Sequence, residues 1–111
     1  MAQSGTMVVL VTCRSRAEAK KIARTVVEKR LAACVNVVAA PVESVYRWKW
    51  TVESAREFLL IMKTTQRRFE ALKAEIVRLH SYDVPEIIAL PVIAGSRPYL
   101  QWVKSNVQSL L

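Results

Sequence analysis

Hydrophobic positions recur along this chain with two different periods, and the places where one gives way to the other mark its elements. Met7 to Cys13 (MVVLVTC) is an almost wholly apolar, β-branched run, the pattern of a strand covered on both faces. Ser15-Arg16-Ala17-Glu18 then matches a capping box, in which the serine and glutamate side chains satisfy each other's free backbone N–H groups. Beyond it Ala19, Ile22, Ala23, Val26 and Val27 recur at spacings of three and four. That spacing predicts a helix ending near Lys29, with its charges on the outer side.

Leu31 to Thr64 holds no glycine and shows no helical period. Ala33 to Val38 is apolar. Past Pro41 the chain alternates, with Ser44, Tyr46, Trp48 and Trp50 on one side and Glu43, Val45, Arg47 and Lys49 on the other. Glu57 to Lys63 (EFLLIMK) is apolar again. Two long strands joined around Thr51–Ala55 fit this pattern. Their far ends must project past the core, because ten strand residues span about 33 Å.

Thr65 is placed to cap a second helix with Phe69, Leu72, Ile76 and Leu79 on one stripe, broken by the segment 80–85. Glu86 to Ala94 reads as a buried strand whose Pro91 needs an edge or a bulge. Pro98 suits the first turn of a third helix, with Leu100, Val103 and Val107 facing inward and Trp102 beside them. The order β-α-β-β-α-β-α is an α+β fold, the ferredoxin-like βαββαβ with an extra C-terminal helix. Two helices cover one sheet face, yet strands two and three are apolar on both faces in their central parts. Self-association is the economical cover for the second.

Composition narrows the function classes. The chain has 111 residues, 52% of them hydrophobic, enough for one domain that folds without disulfide or metal. Residues 1–6 read as a flexible tail and 7–111 as the domain. No run reaches the roughly 18 apolar residues of a membrane span, and the start lacks the pattern of a secretory signal. A cytoplasmic protein with Cys13 and Cys34 reduced and buried is the expectation. The net charge of +8 invites a nucleic-acid reading. Yet seven basic residues between Arg14 and Arg30 are mixed with Glu18 and Glu28 around one helix, and the others are scattered. A solvated surface is expected, with neither nucleic acid nor membrane as partner.

There is no Gly-rich phosphate loop, no Cys-x-x-Cys, no His-Glu-x-x-His and no Ser/His/Asp set, so an enzyme is not expected. His80 is the only histidine. Cys13, Cys34 and His80 are the metal-ligand candidates, with Asp83 or Glu86 as a fourth; thiolates and an imidazole suit Cu(I) or Zn better than Mg or Ca. The alternative is that both cysteines are core residues and His80 caps a helix C-terminus. Lys63 and Glu86, each beside an apolar strand, would solve each other's burial by pairing, as a register-fixing salt bridge or as part of a binding site.

Several blocks in order resemble the CutA family, named for divalent-cation tolerance. They are Lys29-Arg30-Leu31-Ala32-Ala33-Cys34-Val35-Asn36, Ser44-Val45-Tyr46-Arg47-Trp48, Glu57 followed by Lys63-Thr64, and His80-Ser81-Tyr82-Asp83-Val84-Pro85-Glu86-Ile87. Leu90-Pro91-Val92 with Gly95, Tyr99-Leu100 and Trp102 completes the match. The resemblance implies a tight homotrimer with sheets packed around the threefold axis. It also implies weak binding of Cu(II) or another divalent cation, a cytoplasmic location and no enzymatic activity. Tyr46, Trp48, Glu57, Lys63, Tyr82 and Glu86, with His80, are then expected at inter-subunit clefts. A PII-like trimer binding small anionic effectors in such clefts is the alternative, motivated by the excess of Arg and Lys.

The chain departs from the family at three places. Relatives proposed to bind copper carry cysteine at the position of Val11 and histidines at those of Leu79 and His80; only His80 is kept, and Cys13 is offered as a shifted thiolate. Trp50 stands at a usual glycine, so the hairpin is expected to turn differently. Ser81 replaces a usual proline, which is expected to loosen the helix-to-strand connection.

Overall fold

The structure, a computed structural model, describes residues 5–108. β1 (Thr6–Cys13) is followed by α1 (Arg16–Glu28), β2 (Cys34–Val37), β3 (Val42–Trp48) and β4 (Thr51–Thr65). A 3-10 turn (Gln66–Arg68), α2 (Phe69–Leu79), β5 (Ile87–Pro91) and α3 (Arg97–Asn106) complete the described chain. All pairings are antiparallel, in the order β2-β4-β1-β5, with β3 also on β4. This is the ferredoxin-like fold with an added C-terminal helix. Thr6, read as tail, opens β1 and is buried; residues 1–4 of that tail and 109–111 of the domain lie outside the described residues.

Period-two geometry sorts the sheet into two faces. Val9, Val11 and Cys13 stand opposite Met62, Leu60 and Phe58. They meet Ala19, Ile22 and Val26 of α1 and Leu72 and Ile76 of α2 in one core. Each fully buried aliphatic side chain there contributes about 1.5–3 kcal/mol. On the opposite face α3 packs Val103 and Val107 against Ala33 in a separate small cluster. Leu10, Leu59 and Ile61 on that face are half-buried, and Ile88 and Leu90 are exposed.

The second predicted strand is two. Residues 38–41 stand opposite only Phe58 and Leu59 between the paired positions Val37–Leu60 and Val42–Glu57. Pro41 has no N–H for the ladder, so the chain bulges there before pairing resumes. Thr51–Ala55, expected to be the joint, lies inside β4, and the joint is Lys49-Trp50 alone. Both have positive φ, 49° and 73°, the left-handed pair of a two-residue hairpin turn. Trp50 therefore takes the conformation that a glycine would take freely, and the turn is kept at the cost of strain. Polarity misled because this arm stands beyond the core, where both strand faces are wet. The radius of gyration of 14.5 Å exceeds the roughly 13 Å of a compact chain this long, as a projecting arm requires.

Local chemistry sets the helix ends. At the end of α1, Arg30 N–H reaches Val27 O and Leu31 N–H reaches Val26 O, a Schellman motif with Arg30 at φ 59° where glycine is usual. The Arg30 guanidinium donates to Ser105 O and Gln108 O, both at 2.8 Å, capping the end of α3. Thr65 makes no side-chain cap; the 3-10 turn intervenes before α2. Lys29 Nζ lies 2.9 Å from Glu75 Oε2, and Arg78 bonds the same carboxylate, tying α1 to α2. Hydrogen bonds from Arg78 and then Lys29 hold the Glu75 carboxyl at about 2.

Trp50→Gly is expected to stabilise the protein by about 1 kcal/mol, read as a raised denaturation midpoint in urea, because it relieves a left-handed non-glycine residue. Little burial is lost, since Trp50 is 93% exposed. The depressed Glu75 pKa adds stability above its ordinary value of 4.5 that is lost as pH falls towards about 2. Glu75→Gln should therefore lower stability at neutral pH and give a shallower fall across that acid window in urea unfolding at stepped pH.

Candidate metal centre and adjoining cleft

Three chain segments converge where β1 ends. Cys13 is its last residue, Glu18 lies in the first turn of α1, and His80 is the C-cap of α2. The Cys13 Sγ, a Glu18 carboxylate oxygen and a His80 ring nitrogen all lie within 4.8 Å of one another. The capping box forms only in half. Ser15 Oγ accepts the Glu18 N–H at 3.1 Å, but the Glu18 carboxylate turns away. Its Oε2 accepts the Ser81 N–H at 2.7 Å, while Oε1 is buried with no hydrogen-bond partner among the described residues. A proline at position 81 has no N–H to give. Ser81 thus ties the helix-to-strand connection to α1 rather than loosening it.

Cys13 is fully buried, and desolvation, helped by the charges of Glu18 and Glu57, pushes its thiol up to about 12. It is a neutral thiol beside an orphaned carboxylate oxygen. His80 is 8% exposed, and its backbone N–H closes α2 on Ile76 O at 2.9 Å. Nε2 lies 2.7 Å from Thr12 O and Nδ1 3.1 Å from the Tyr82 N. The carbonyl needs a donor and the N–H needs an acceptor, which assigns the Nε2–H tautomer. His80 is at once a helix cap and a member of the cluster.

Cys34, the third ligand read from the sequence, does not join it. Cys13 stands opposite Phe58 and Cys34 opposite Lys63, an odd separation along β4. The two thiols therefore point to opposite sheet faces. Both are free, Cys13 buried and Cys34 half-buried. Asp83 and Glu86, weighed as a fourth ligand, line a different feature. Glu18 takes the place of Cys34, and no spacing rule marks it, because its approach depends on the turn between β1 and α1.

Across β1 from the cluster lies a cleft of about 570 Å³. Tyr46, Trp48, Glu57, Tyr82 and Glu86, five of the six expected cleft residues, line it together with Thr12 and Asp83. The sixth, Lys63, does not: its Nζ bonds Asn36 Oδ1 on β2. The Lys63–Glu86 pair does not form, because Glu86 lies just before β5 and β1 stands between β5 and the β4 strand that carries Lys63. Tyr82 Oη donates to Glu57 Oε2 at 2.8 Å. Burial first, and then Glu57, hold the Tyr82 hydroxyl well above its ordinary range.

A model of the CutA1 divalent ion tolerance protein family matches residues 7–106. The divalent-cation tolerance protein CutA of Thermus thermophilus is 48% identical over 99 residues, covering 89% of this chain and 95% of that protein. The chloroplastic CutA of Arabidopsis thaliana is 47% identical over 103 residues, 93% of this chain but 56% of its own length, so this chain spans about half of it. The solved divalent cation tolerance protein (Cut A1) of Thermus thermophilus superposes with a TM-score of 0.90 at 47% identity, covering 93% of this chain and 99% of the other. The periplasmic divalent cation tolerance protein CutA of Archaeoglobus fulgidus gives 0.89 at 36%, with the same coverage. With this span of matched sequence and fold, the chain belongs to the CutA1 divalent ion tolerance protein family.

Proposed function

We propose that the protein is a non-catalytic, homotrimeric binder of copper or a similar divalent cation, held weakly by Cys13, Glu18 and His80. The observation that carries the metal reading is the buried Glu18 Oε1, without a partner among the described residues and beside a thiol and an imidazole. The donors are one sulfur, one oxygen and one nitrogen, a set that suits copper or zinc. A tetrahedral ion with bonds of about 2.0–2.3 Å holds its ligands roughly 3.5 Å apart. The three atoms, within 4.8 Å of one another, need to close by about an ångström. The bond from His80 Nε2–H to Thr12 O is the outer support a metal-bound histidine ordinarily has, and it leaves Nδ1 as the basic nitrogen. The neutral thiol must lose its proton on binding, which keeps the affinity modest. A reducing, cytoplasmic setting suits the site, because only reduced Cys13 is a ligand.

The anionic-effector reading finds less support, since the cleft lining contains no Lys or Arg. Support for the trimer comes from the open sheet face, where Ile88 and Leu90 are 48% and 46% exposed beside Leu10 and Val8. An apolar stripe of this kind is stabilised by burial against a second copy.

Calorimetric titration with Cu(II), repeated with Zn(II), is expected to show saturable binding that weakens about tenfold or more in Cys13→Ala and in His80→Ala. Ser81→Pro, which removes the N–H that holds Glu18, should weaken it too, and Cys34→Ala should leave it unchanged. Unchanged isotherms for both Cys13→Ala and His80→Ala would remove the site. Light scattering at micromolar concentration should give three times the chain mass, dropping towards monomer when Ile88 and Leu90 are both changed to Glu; a monomeric parent protein would sink the trimer.

A further inference from the structure

We infer that the cleft between the β3–β4 arm and the segment 82–86 is a binding site for a small organic ammonium ion. Its three charged lining residues, Glu57, Asp83 and Glu86, are all acidic. That runs against a chain in which basic residues outnumber acidic ones 17 to 9. Electrostatics at this spot therefore favour a cation, although the molecule as a whole repels one.

The buried carboxylate is the second observation. Glu57 is 8% exposed, its one hydrogen bond is the neutral Tyr82 hydroxyl, and among the described residues it has no ion pair. A carboxylate so far out of water is costly without a positive partner. A ligand cation entering the cleft supplies one.

The third observation is the wall. Register places Ser44, Tyr46 and Trp48 of β3 on the same sheet face as Glu57, so two aromatic rings approach the carboxylate by strand alternation, and Tyr82 adds a third. Aromatic faces attract alkylated ammonium groups, a preference that a small hydrated metal ion does not share. Lys49 Nζ already stands 5.9 Å from the Trp48 ring centroid, so this ring takes a cation in the protein as it is. The volume, about 570 Å³, falls within the range of roughly 300–1,000 Å³ that holds small ligands.

None of the metal-site residues lines the cleft, although Tyr82 bonds to both His80 and Glu57. The same chemistry has a second source, a Lys or Arg side chain from a neighbouring copy of the chain, and the experiment separates the two. Choline, benzyltrimethylammonium and 2-phenylethylamine are titrated calorimetrically into the assembled protein, with 3-phenylpropionate as the anionic control. Saturable binding of at least one ammonium compound below about 1 mM, and none of the anion, is the expected result. Glu57→Gln and Trp48→Ala should each weaken it about tenfold, with thermal melts confirming the fold. Glu86→Gln, at an exposed position, should weaken it measurably without touching the fold. No ammonium binding up to about 10 mM overturns the inference. So does equal binding of the anion, or unchanged affinity in both Glu57→Gln and Glu86→Gln. Loss of assembly in Glu57→Gln, with no ammonium binding by the parent protein, assigns the cleft to a neighbour's side chain and overturns it as well.

Discussion

The parity of one strand decides where every chemically interesting group of this protein lies. β4 runs for 15 residues and pairs with β1, β2 and β3. Its even positions from 58 to 64 face α1 and α2, and its odd positions from 57 to 63 lie on the other face, which α3 partly covers. Cys13, opposite Phe58, is thereby turned towards α1 and α2, where Glu18 and His80 wait. Glu57, one residue earlier, opens on the other side among the aromatic side chains of β3. A slip of one residue in this register would exchange the two sets and leave neither site intact.

His80 and Tyr82 straddle the sheet edge and join what the strand separates. The imidazole Nε2–H donates a hydrogen bond to the carbonyl of Thr12 and Nδ1 accepts one from the Tyr82 N–H, while the Tyr82 hydroxyl donates to Glu57. Thr12, Tyr82 and Glu57 all line the cleft. On the proposed metal reading, an ion taken by His80 Nδ1 would displace the Tyr82 N–H and so act on the residue that holds the cleft's buried carboxylate. The two sites are chemically unlike, but they share a wall of three hydrogen bonds.

Much of this was legible from periodicity. The helix stripe of α1 reads directly as Ala19, Ile22 and Val26, all fully buried, and the apolar run of β1 reads as a strand with one face in the core. The family blocks picked out the cleft, because Tyr46, Trp48 and Glu57 share one strand face and Tyr82 and Glu86 sit in the short segment leading into β5. What pattern could not supply was relative placement in space. Cys34 and Cys13 looked alike as cysteines in apolar runs, and only their partners on β4 reveal that they face apart. Glu18 was hidden for a different reason: its spacing from Ser15 fits a local cap, and the long-range Ser81 N–H outcompetes that use. Lys63 and Glu86 matched in charge and in the apolar runs they flank, yet Glu86 is exposed and β1 intervenes.

The hairpin tip shows the same priority of register over local preference. Lys49 and Trp50 are poor choices for left-handed backbone, at about 1–3 kcal/mol each. By residue type alone the turn should have relaxed into a longer loop, and the polar stretch Thr51–Ala55 offered one. Seven paired positions, from Val42–Glu57 to Trp48–Thr51, fix the arm up to its last residue and leave only two to reverse the chain. Lengthening the loop would break the outermost pairs and release Trp48 from the face it shares with Glu57. The strain is therefore confined to the turn, and the ladder that imposes it also aims the aromatic wall of the cleft.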